Sequence, residues 1–267
     1  MTKGRSLDLR KQKGFTLLEL MIVMLILGVV LGAVFTNMDQ AQQRMTTEET
    51  KLDDFQQARD FVDQFFRDIN QIGDPNYKLM DVSSTFWSPA LSTPANHSWT
   101  NPYVNDHRFA MGLVKIDTTS IQFEGSVNGI GSVQEIIYQI NGSGTCTLCL
   151  QRSQINKVDG DPLTGQNSAN WGTEVNDVIG TPIYRYFLYD GTEITGSSSP
   201  CALPADYTTS ACATTLANVK TIQIKLRIQN PNITDPKTGQ PIETSFEGEV
   251  ALNNCSMAAL GQALSCN

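Results

Sequence analysis

Apolar side chains fill almost every position of residues 15–35, and Glu19 is the only charged residue among them. A helix of 21 residues is roughly 30 Å long, which matches the hydrocarbon thickness of a bilayer. The pattern therefore predicts a membrane-spanning helix half over residues 15–36. Residues 1–14 contain five basic residues and one acid, a net charge of +4, which predicts a cytoplasmic N-terminus.

A helical pattern continues beyond this apolar run. Apolar residues recur three and four positions apart, which predicts an amphipathic helix half over residues 37–73 that packs on a downstream sheet. The members of this stripe are Leu52, Phe55, Ala58, Val62, Phe65, Phe66, Ile69 and Ile72. The opposite face is predicted to be solvated and carries Asp54, Arg59, Asp63, Arg67 and Asp68. Gly73 and Pro75 are typical residues for the end of a helix.

Residues 74–267 show the alternating pattern of strands. Ile222, Ile224, Leu226 and Ile228 alternate with polar residues, which predicts a half-buried antiparallel strand. Asp190 and Gly191 form a hairpin signal. Further strands are predicted over residues 109–116, 120–127, 134–140, 147–152, 183–189 and 244–252. The sequence therefore predicts an α+β fold, with a long N-terminal helix on an antiparallel sheet and long loops over 81–108 and 156–181.

Composition narrows the class of protein. The chain has 267 residues, 40% of them hydrophobic, and a net charge of −8. This is too polar for a membrane protein with many spans, and the charge has the wrong sign for a protein that neutralises nucleic-acid phosphates. Subtracting the +4 of residues 1–14 leaves −12 on residues 15–267.

Two simpler explanations of the N-terminus account for less of it. A secretory signal peptide has a shorter apolar core that ends in a small-residue cleavage site. An ordinary signal anchor explains the basic flank and the span, but it leaves Glu19 without a role. A carboxylate placed centrally in a membrane span costs about 2.5–3.5 kcal/mol, and less near the interface.

The order of residues around Glu19 is distinctive. A basic residue, Lys13, is followed by Gly14 and Phe15, and Glu19 is the fifth residue counted from Phe15. Here the sequence resembles the type IV prepilins and the pseudopilins of type II secretion. The resemblance implies cleavage between Gly14 and Phe15 by a prepilin peptidase, which then methylates the new amine of Phe15. It also implies that Glu19 pairs with the Phe15 amine of a neighbouring subunit during assembly.

The resemblance further implies where the protein acts and with which partners. It implies a single-pass protein of the bacterial inner membrane, with a periplasmic C-terminus, that enters a pilus or pseudopilus. The expected partners are the prepilin peptidase, other pilin or pseudopilin subunits and the inner-membrane assembly platform. The order IIYQI, LCLQRS, FLYDGTEI and NVKTIQIKLRI is similar to PilW-type minor pilins and to pseudopilin J, subunits that are thought to prime assembly at the filament tip. A tip subunit that binds surfaces or secreted protein is the alternative.

Gly28 and Gly32 form a G-x-x-x-G pattern inside the apolar run. Such a pair permits close approach of helices in a filament core. Two tolerated glycines in a membrane helix explain the pattern equally well.

Six cysteines follow in the β-rich region, where an oxidising compartment favours disulfides. The short separations favour two local pairs, Cys201 with Cys212 and Cys255 with Cys266. Cys146 and Cys149 then pair with each other, which requires a turn because residues three apart in a strand point to opposite faces. A zinc site is disfavoured because no second C-x-x-C is present.

No catalytic arrangement is visible in the sequence, so we expect that the protein is not an enzyme and needs no cofactor. His97 and His107 lie in a polar loop and are expected at the surface. Asp159 and Asp161 flank a glycine in a tight turn that calcium could use, although a solvated turn fits the spacing better. No nucleic-acid partner is expected.

Overall fold

The computed structural model describes residues 16–75, 102–129, 131–141, 148–235 and 238–252. The chain forms two compact units, residues 1–50 and residues 51–267. The described α-helices are α1 (Leu17–Ile69), which runs through both units, and α2 (Ser210–Ala217), and a 3₁₀ helix spans Pro102–Asn105. The strands are β1 (Leu113–Ile116), β2 (Ser120–Gly125), β3 (Gln134–Asn141), β4 (Cys149–Asn156), β5 (Trp171–Val175), β6 (Tyr184–Leu188), β7 (Glu193–Ile194), β8 (Ala205–Asp206), β9 (Val219–Thr234) and β10 (Pro241–Ala251).

The part of α1 in the second unit buries one stripe of side chains. Its buried members, three or four positions apart, are Ala58, Phe61, Phe65 and Ile69. The phenyl ring of Phe65 lies 5.4 Å from the Tyr138 ring of β3 and 5.5 Å from the Tyr184 ring of β6. This stripe therefore joins residues of both sheets in one core.

The predicted stripe is wrong at its N-terminal end. Leu52 and Phe55 are 67% and 47% exposed, although the Phe55 ring lies 4.7 Å from that of Phe246. Phe61, which was not a member of the predicted stripe, is buried. The apolar period alone did not define where contact with the sheets begins.

Asp68 is a second correction. Its predicted place was the solvated face, yet it is 1% exposed. Its carboxylate accepts hydrogen bonds from Arg152 of β4 and Tyr138 of β3. Partners from distant strands compensate for the loss of water around this charge.

The helix ends at Ile69, before the predicted stop. Ile72 leaves the helix and forms an isolated bridge with Gly125, and the N–H of Gly73 donates to the carbonyl oxygen of Glu124 at 2.9 Å. Gly73 has φ 75°, a conformation in which glycine is favoured. The chain is thereby fastened to the end of β2.

All pairings within both sheets are antiparallel. The first sheet has the order β5-β4-β3-β2-β1-β8, and the second has the order β10-β9-β6-β7. In β9, the predicted alternation is confirmed, because Ile222, Ile224, Leu226 and Ile228 are all buried. The predicted hairpin at Asp190 and Gly191 joins β6 to β7, and Gly191 has φ 82°.

Several elements differ from their predicted bounds. β1 begins only at Leu113, because the backbone before it bonds elsewhere: the N–H of Ala110 donates to the carbonyl oxygen of Pro75. β5 lies inside the predicted loop 156–181, and α2 and β8 had no counterpart in the prediction. α2 begins after Thr209, whose side chain accepts from the backbone N–H of Cys212. The α+β class, a long N-terminal helix with antiparallel sheets, is confirmed.

Candidate functional site

The N-terminal part of α1 is apolar and exposed. Among the described residues, this helix is long and apolar enough to cross a membrane, and none of its most apolar window is buried inside the structure. Leu17 and Leu25, for example, are 79% and 70% exposed. Exposed leucines at this density are unfavourable in water, so this segment requires lipid or other helices around it.

Thr16 caps the start of this helix. Its side-chain oxygen accepts a hydrogen bond from the backbone N–H of Glu19 at 3.3 Å. The sequence T-x-x-E therefore serves as one half of a capping box, a role that the sequence-based prediction missed although the spacing displays it.

The carboxylate of Glu19 remains outside this cap. Only the backbone N–H of Glu19 donates to Thr16, and the carboxylate has no hydrogen bond or ion pair with another described residue. Gly14 and Phe15, the predicted cleavage and methylation residues, lie outside the described residues. The position of Glu19 relative to the Phe15 amine therefore stays a prediction.

Gly28 and Gly32 lie one turn apart on the same helix. A Cβ added at either glycine would have no atom within 4 Å, apart from the backbone of its own helix. The carbonyl oxygen of Gly32 accepts from the hydroxyl of Thr36 at 2.9 Å. The glycines thus leave a strip of backbone without side-chain cover, which suits close approach of another helix.

One predicted disulfide is present among the described cysteines. Cys201 and Cys212 are bonded, with their Cα atoms 5.0 Å apart, and the bond ties the segment after β7 to α2. Cys149 is buried and also disulfide-bonded, with a partner outside the described residues. Cys146, Cys255 and Cys266 lie outside the described residues, so the other two predicted pairs stay predictions.

The two acids of the predicted calcium turn have different partners. One carboxylate oxygen of Asp159 accepts from the backbone N–H of His107 at 2.9 Å and lies 2.8 Å from its Nδ1 atom. Asp161 instead accepts from the backbone N–H groups of Leu163 and Thr164. The structure thus places His107 at the surface beside Asp159, while His97 lies outside the described residues.

Asp106 completes a group that the sequence did not suggest. Ligand atoms of Asp106, His107 and Asp159 lie within 4.8 Å of one another. However, Asp106 is already paired with Arg108, whose Nη2 atom lies 2.6 Å from its carboxylate. Arg108 thus already neutralises Asp106, and the group forms two side-chain contacts, Asp106 with Arg108 and His107 with Asp159.

An open groove of about 630 Å³ runs along α1 beside β5. Three acids, Asp53, Asp60 and Glu174, line it together with Arg67. Burial raises the pKa of Glu174, Arg152 opposes this effect, and Asp68 adds to it. The groove is polar and open, and no arrangement of a nucleophile with a base is found in it.

Comparison with known families identifies the N-terminus. The family described as the prokaryotic N-terminal methylation motif matches residues 9–35, a stretch that contains Gly14, Phe15, Glu19, Gly28 and Gly32. No curated protein and no solved structure matches the chain. The chain therefore carries the prepilin-type signature, as predicted. Together with the apolar helix, this signature indicates a membrane-anchored, pilin-like protein.

Proposed function

We propose that the protein is a minor pilin or pseudopilin subunit of a type IV pilus or a type II secretion pseudopilus. The observation that carries this proposal is the continuity of the methylation motif with a helix of 53 residues whose N-terminal apolar side chains are exposed. A pilin-like subunit uses one such helix in two environments, first in the bilayer and then among the helices of neighbouring subunits.

The basic leader sets the proposed orientation. Its +4 charge holds residues 1–14 in the cytoplasm, while the acidic remainder of the chain lies in the periplasm. Cleavage between Gly14 and Phe15 by the prepilin peptidase removes this charge and frees the amine of Phe15. Glycine at the cleaved bond presents no side chain to the peptidase.

Glu19 guides assembly in this proposal. Its carboxylate is unpaired among the described residues and lies at the start of an apolar helix. An isolated carboxylate in hydrocarbon is unfavourable, so a methylated amine from a neighbouring Phe15 is a stabilising partner. The bare strip at Gly28 and Gly32 allows the helices to approach closely enough for that pair to form.

The β-rich region, residues 74–267, then serves recognition among subunits rather than catalysis. We propose that it packs with other pilin subunits and with the assembly platform, and that the subunit primes or caps the filament. Its net charge disfavours a nucleic-acid partner. A tip subunit that binds a surface through its loops is the alternative. Immunogold label at filament ends fits both a priming or capping subunit and this alternative, whereas label along the shaft contradicts both.

Mass spectrometry of the mature N-terminus tests the proposal. In cells that contain a prepilin peptidase, the mature chain should begin at Phe15 with one methyl group on its amine. Gly14→Val should block cleavage, while Gly4→Val in the same leader is the matched control and should be processed normally. An unprocessed wild-type chain, or cleavage inside the apolar run, would refute the pilin-like role.

Glu19→Gln tests the assembly role. The cap on Thr16 uses the backbone N–H of residue 19, so glutamine preserves the helix start while removing the charge. We expect normal cleavage and methylation but severalfold less subunit in sheared filaments, measured by quantitative immunoblot. Glu49→Gln, in the polar part of α1, is the control. Equal incorporation of both variants would contradict the role of Glu19.

A further inference from the structure

A fully buried lysine lies at the end of β4. Lys157 is 4% exposed, and its ammonium donates to the carbonyl oxygens of Val104 and Phe109 at 2.8 and 2.9 Å. It also lies 2.7 Å from Oε2 of Glu124 in β2. These contacts hold the segment that leads into β1 against the first sheet.

Glu124 is buried and only half satisfied. Its Oε2 atom accepts from Lys157 and from the backbone N–H of Met111 at 2.8 Å. Its Oε1 atom has no hydrogen-bond partner among the described residues. A buried carboxylate oxygen without a donor is costly, so this atom calls for a proton donor nearby.

Glu135 is the residue directly opposite Glu124 in the β2–β3 pair. Directly opposite residues of antiparallel strands share one face of the sheet. Glu135 is 3% exposed, and its Oε1 atom accepts from the side chain of Gln122, which also donates to the carbonyl oxygen of Pro162. Its Oε2 atom, like Oε1 of Glu124, has no partner among the described residues.

The charges of this cluster do not balance without a proton. Two carboxylates face one ammonium, and Asp161, from the loop after β4, adds further negative charge near Glu124. Burial of a net negative charge is strongly unfavourable. One proton on Glu135 removes the excess charge, and it turns one oxygen of that carboxyl group into a hydrogen-bond donor.

We propose that Glu124, Glu135 and Lys157 form a proton-dependent clasp that holds residues 102–112 on the first sheet. With the proton on Glu135, Lys157 and Glu124 neutralise each other, and the contacts to Val104, Phe109 and Met111 are stable. Loss of the proton leaves two buried carboxylates side by side, and their repulsion loosens the same contacts. The clasp thus makes the attachment of residues 102–112 sensitive to pH.

Burial raises the pKa of both carboxyl groups, but Lys157 and the backbone N–H of Met111 donate hydrogen bonds that oppose the rise at Glu124. Glu135 is therefore the group to which the proton is assigned. Burial raises the pKa of Glu135 from 4.5 to about 7, with repulsion from Glu124 adding to the rise, and with Gln122 and Lys157 opposing it. Because the pKa is higher in the folded state, the stabilisation is complete below pH 4.5. It falls as the pH rises towards 7 and is lost above that value.

Hydrogen exchange of the full chain in detergent micelles tests the clasp. After correction for intrinsic exchange rates, the protection of residues 102–112 should fall by roughly ten- to a hundredfold between pH 5 and pH 8. Glu135→Gln, which keeps the shape and cannot ionise, should abolish this fall. Glu249→Gln, at an exposed position of β10, is the matched control and should behave like the wild type. An equal fall in Glu135→Gln, or no fall in the wild type, would overturn the proposal.

Infrared spectroscopy provides a second measurement, which detects the proton directly in the wild type. The carbonyl stretch of a protonated, buried carboxylic acid should be present at pH 6 and absent at pH 9. The band should also be missing from Glu135→Gln at pH 6. A band that persists in that variant would place the proton elsewhere and contradict the assignment to Glu135.

Discussion

The buried ion pair between Asp68 of α1 and Arg152 of β4 should carry a large share of the attachment of the helix to the first sheet. The Nη2 and Nε atoms of Arg152 lie 2.7 and 2.8 Å from Oδ2 of Asp68. The hydroxyl of Tyr138 donates to the same oxygen at 2.7 Å, and Gln64 donates to the other oxygen at 2.6 Å. The side chains of Arg152 and Asp68 are only 14% and 1% exposed.

Arg152→Met removes the cation and keeps much of the side-chain volume. Asp68 then stays buried with only neutral donors, Tyr138 and Gln64. Removal of one partner from a buried pair costs about 3–5 kcal/mol, so the variant should lose that much free energy of unfolding. Domains are typically stable by about 5–15 kcal/mol, so this loss is a large fraction of the total.

Urea unfolding of the full chain in detergent, followed by circular dichroism, measures the effect. Arg59→Met is the matched control on the same helix, because Arg59 and Asp63 are 69% and 58% exposed and lie 3.9 Å apart. Such a pair contributes about 0–1 kcal/mol, so the control should be nearly neutral. The double variant Asp68→Leu/Arg152→Met should recover most of the loss, because no unpaired charge remains. A loss below about 1 kcal/mol in Arg152→Met would refute the reasoning.

Three further predictions concern a close approach, a disulfide and calcium. Gly125→Ala should destabilise the fold by about 1–3 kcal/mol in the same urea assay, because a Cβ there would overlap the backbone carbonyl oxygen of Gln71; Gly172→Ala, whose nearest neighbour is at 3.8 Å, should be tolerated. Replacement of Cys201 and Cys212 by serine should cost about 2–4 kcal/mol, seen as a lower melting temperature than that of the oxidised wild type. Calcium and a chelator should give the same melting temperature, because Asp159 and Asp161 already accept protein donors; a rise with calcium would support the calcium turn instead.

Periodicity predicted the long helix and β9 because each has a local, repeating pattern. A run of apolar residues at helical spacing needs no knowledge of the partner, and neither does the alternation of Ile222, Ile224 and Leu226. Asp68 shows the limit of such patterns. Its burial depends on Arg152, which lies 84 positions away in sequence, and no local pattern conveys a contact over that separation.

The candidate sites also differ in whether a local pattern in the sequence identifies them. The processing motif is contiguous from Lys13 to Glu19, so the sequence alone identifies it. The clasp, by contrast, needs the register that places Glu124 opposite Glu135 and the position of Lys157 after β4, where its ammonium reaches Glu124. The predicted strands 120–127 and 134–140 contained both acids, but only the pairing shows that the two acids are buried together.

Interactions within the first turn of α1 do not offset the full cost of placing the Glu19 carboxylate in a membrane span. In the first turn of α1, its negative charge interacts favourably with the helix dipole, an effect of about 0.3–1 kcal/mol. A carboxylate within a membrane span costs about 2.5–3.5 kcal/mol at the centre, and less near the interface. The dipole therefore offsets only part of the cost, and the carboxylate itself takes no part in the bond to Thr16. In the proposed assembly, the amine of a neighbouring Phe15 offsets the remainder, so that the unfavourable charge of the single subunit favours its entry into the filament.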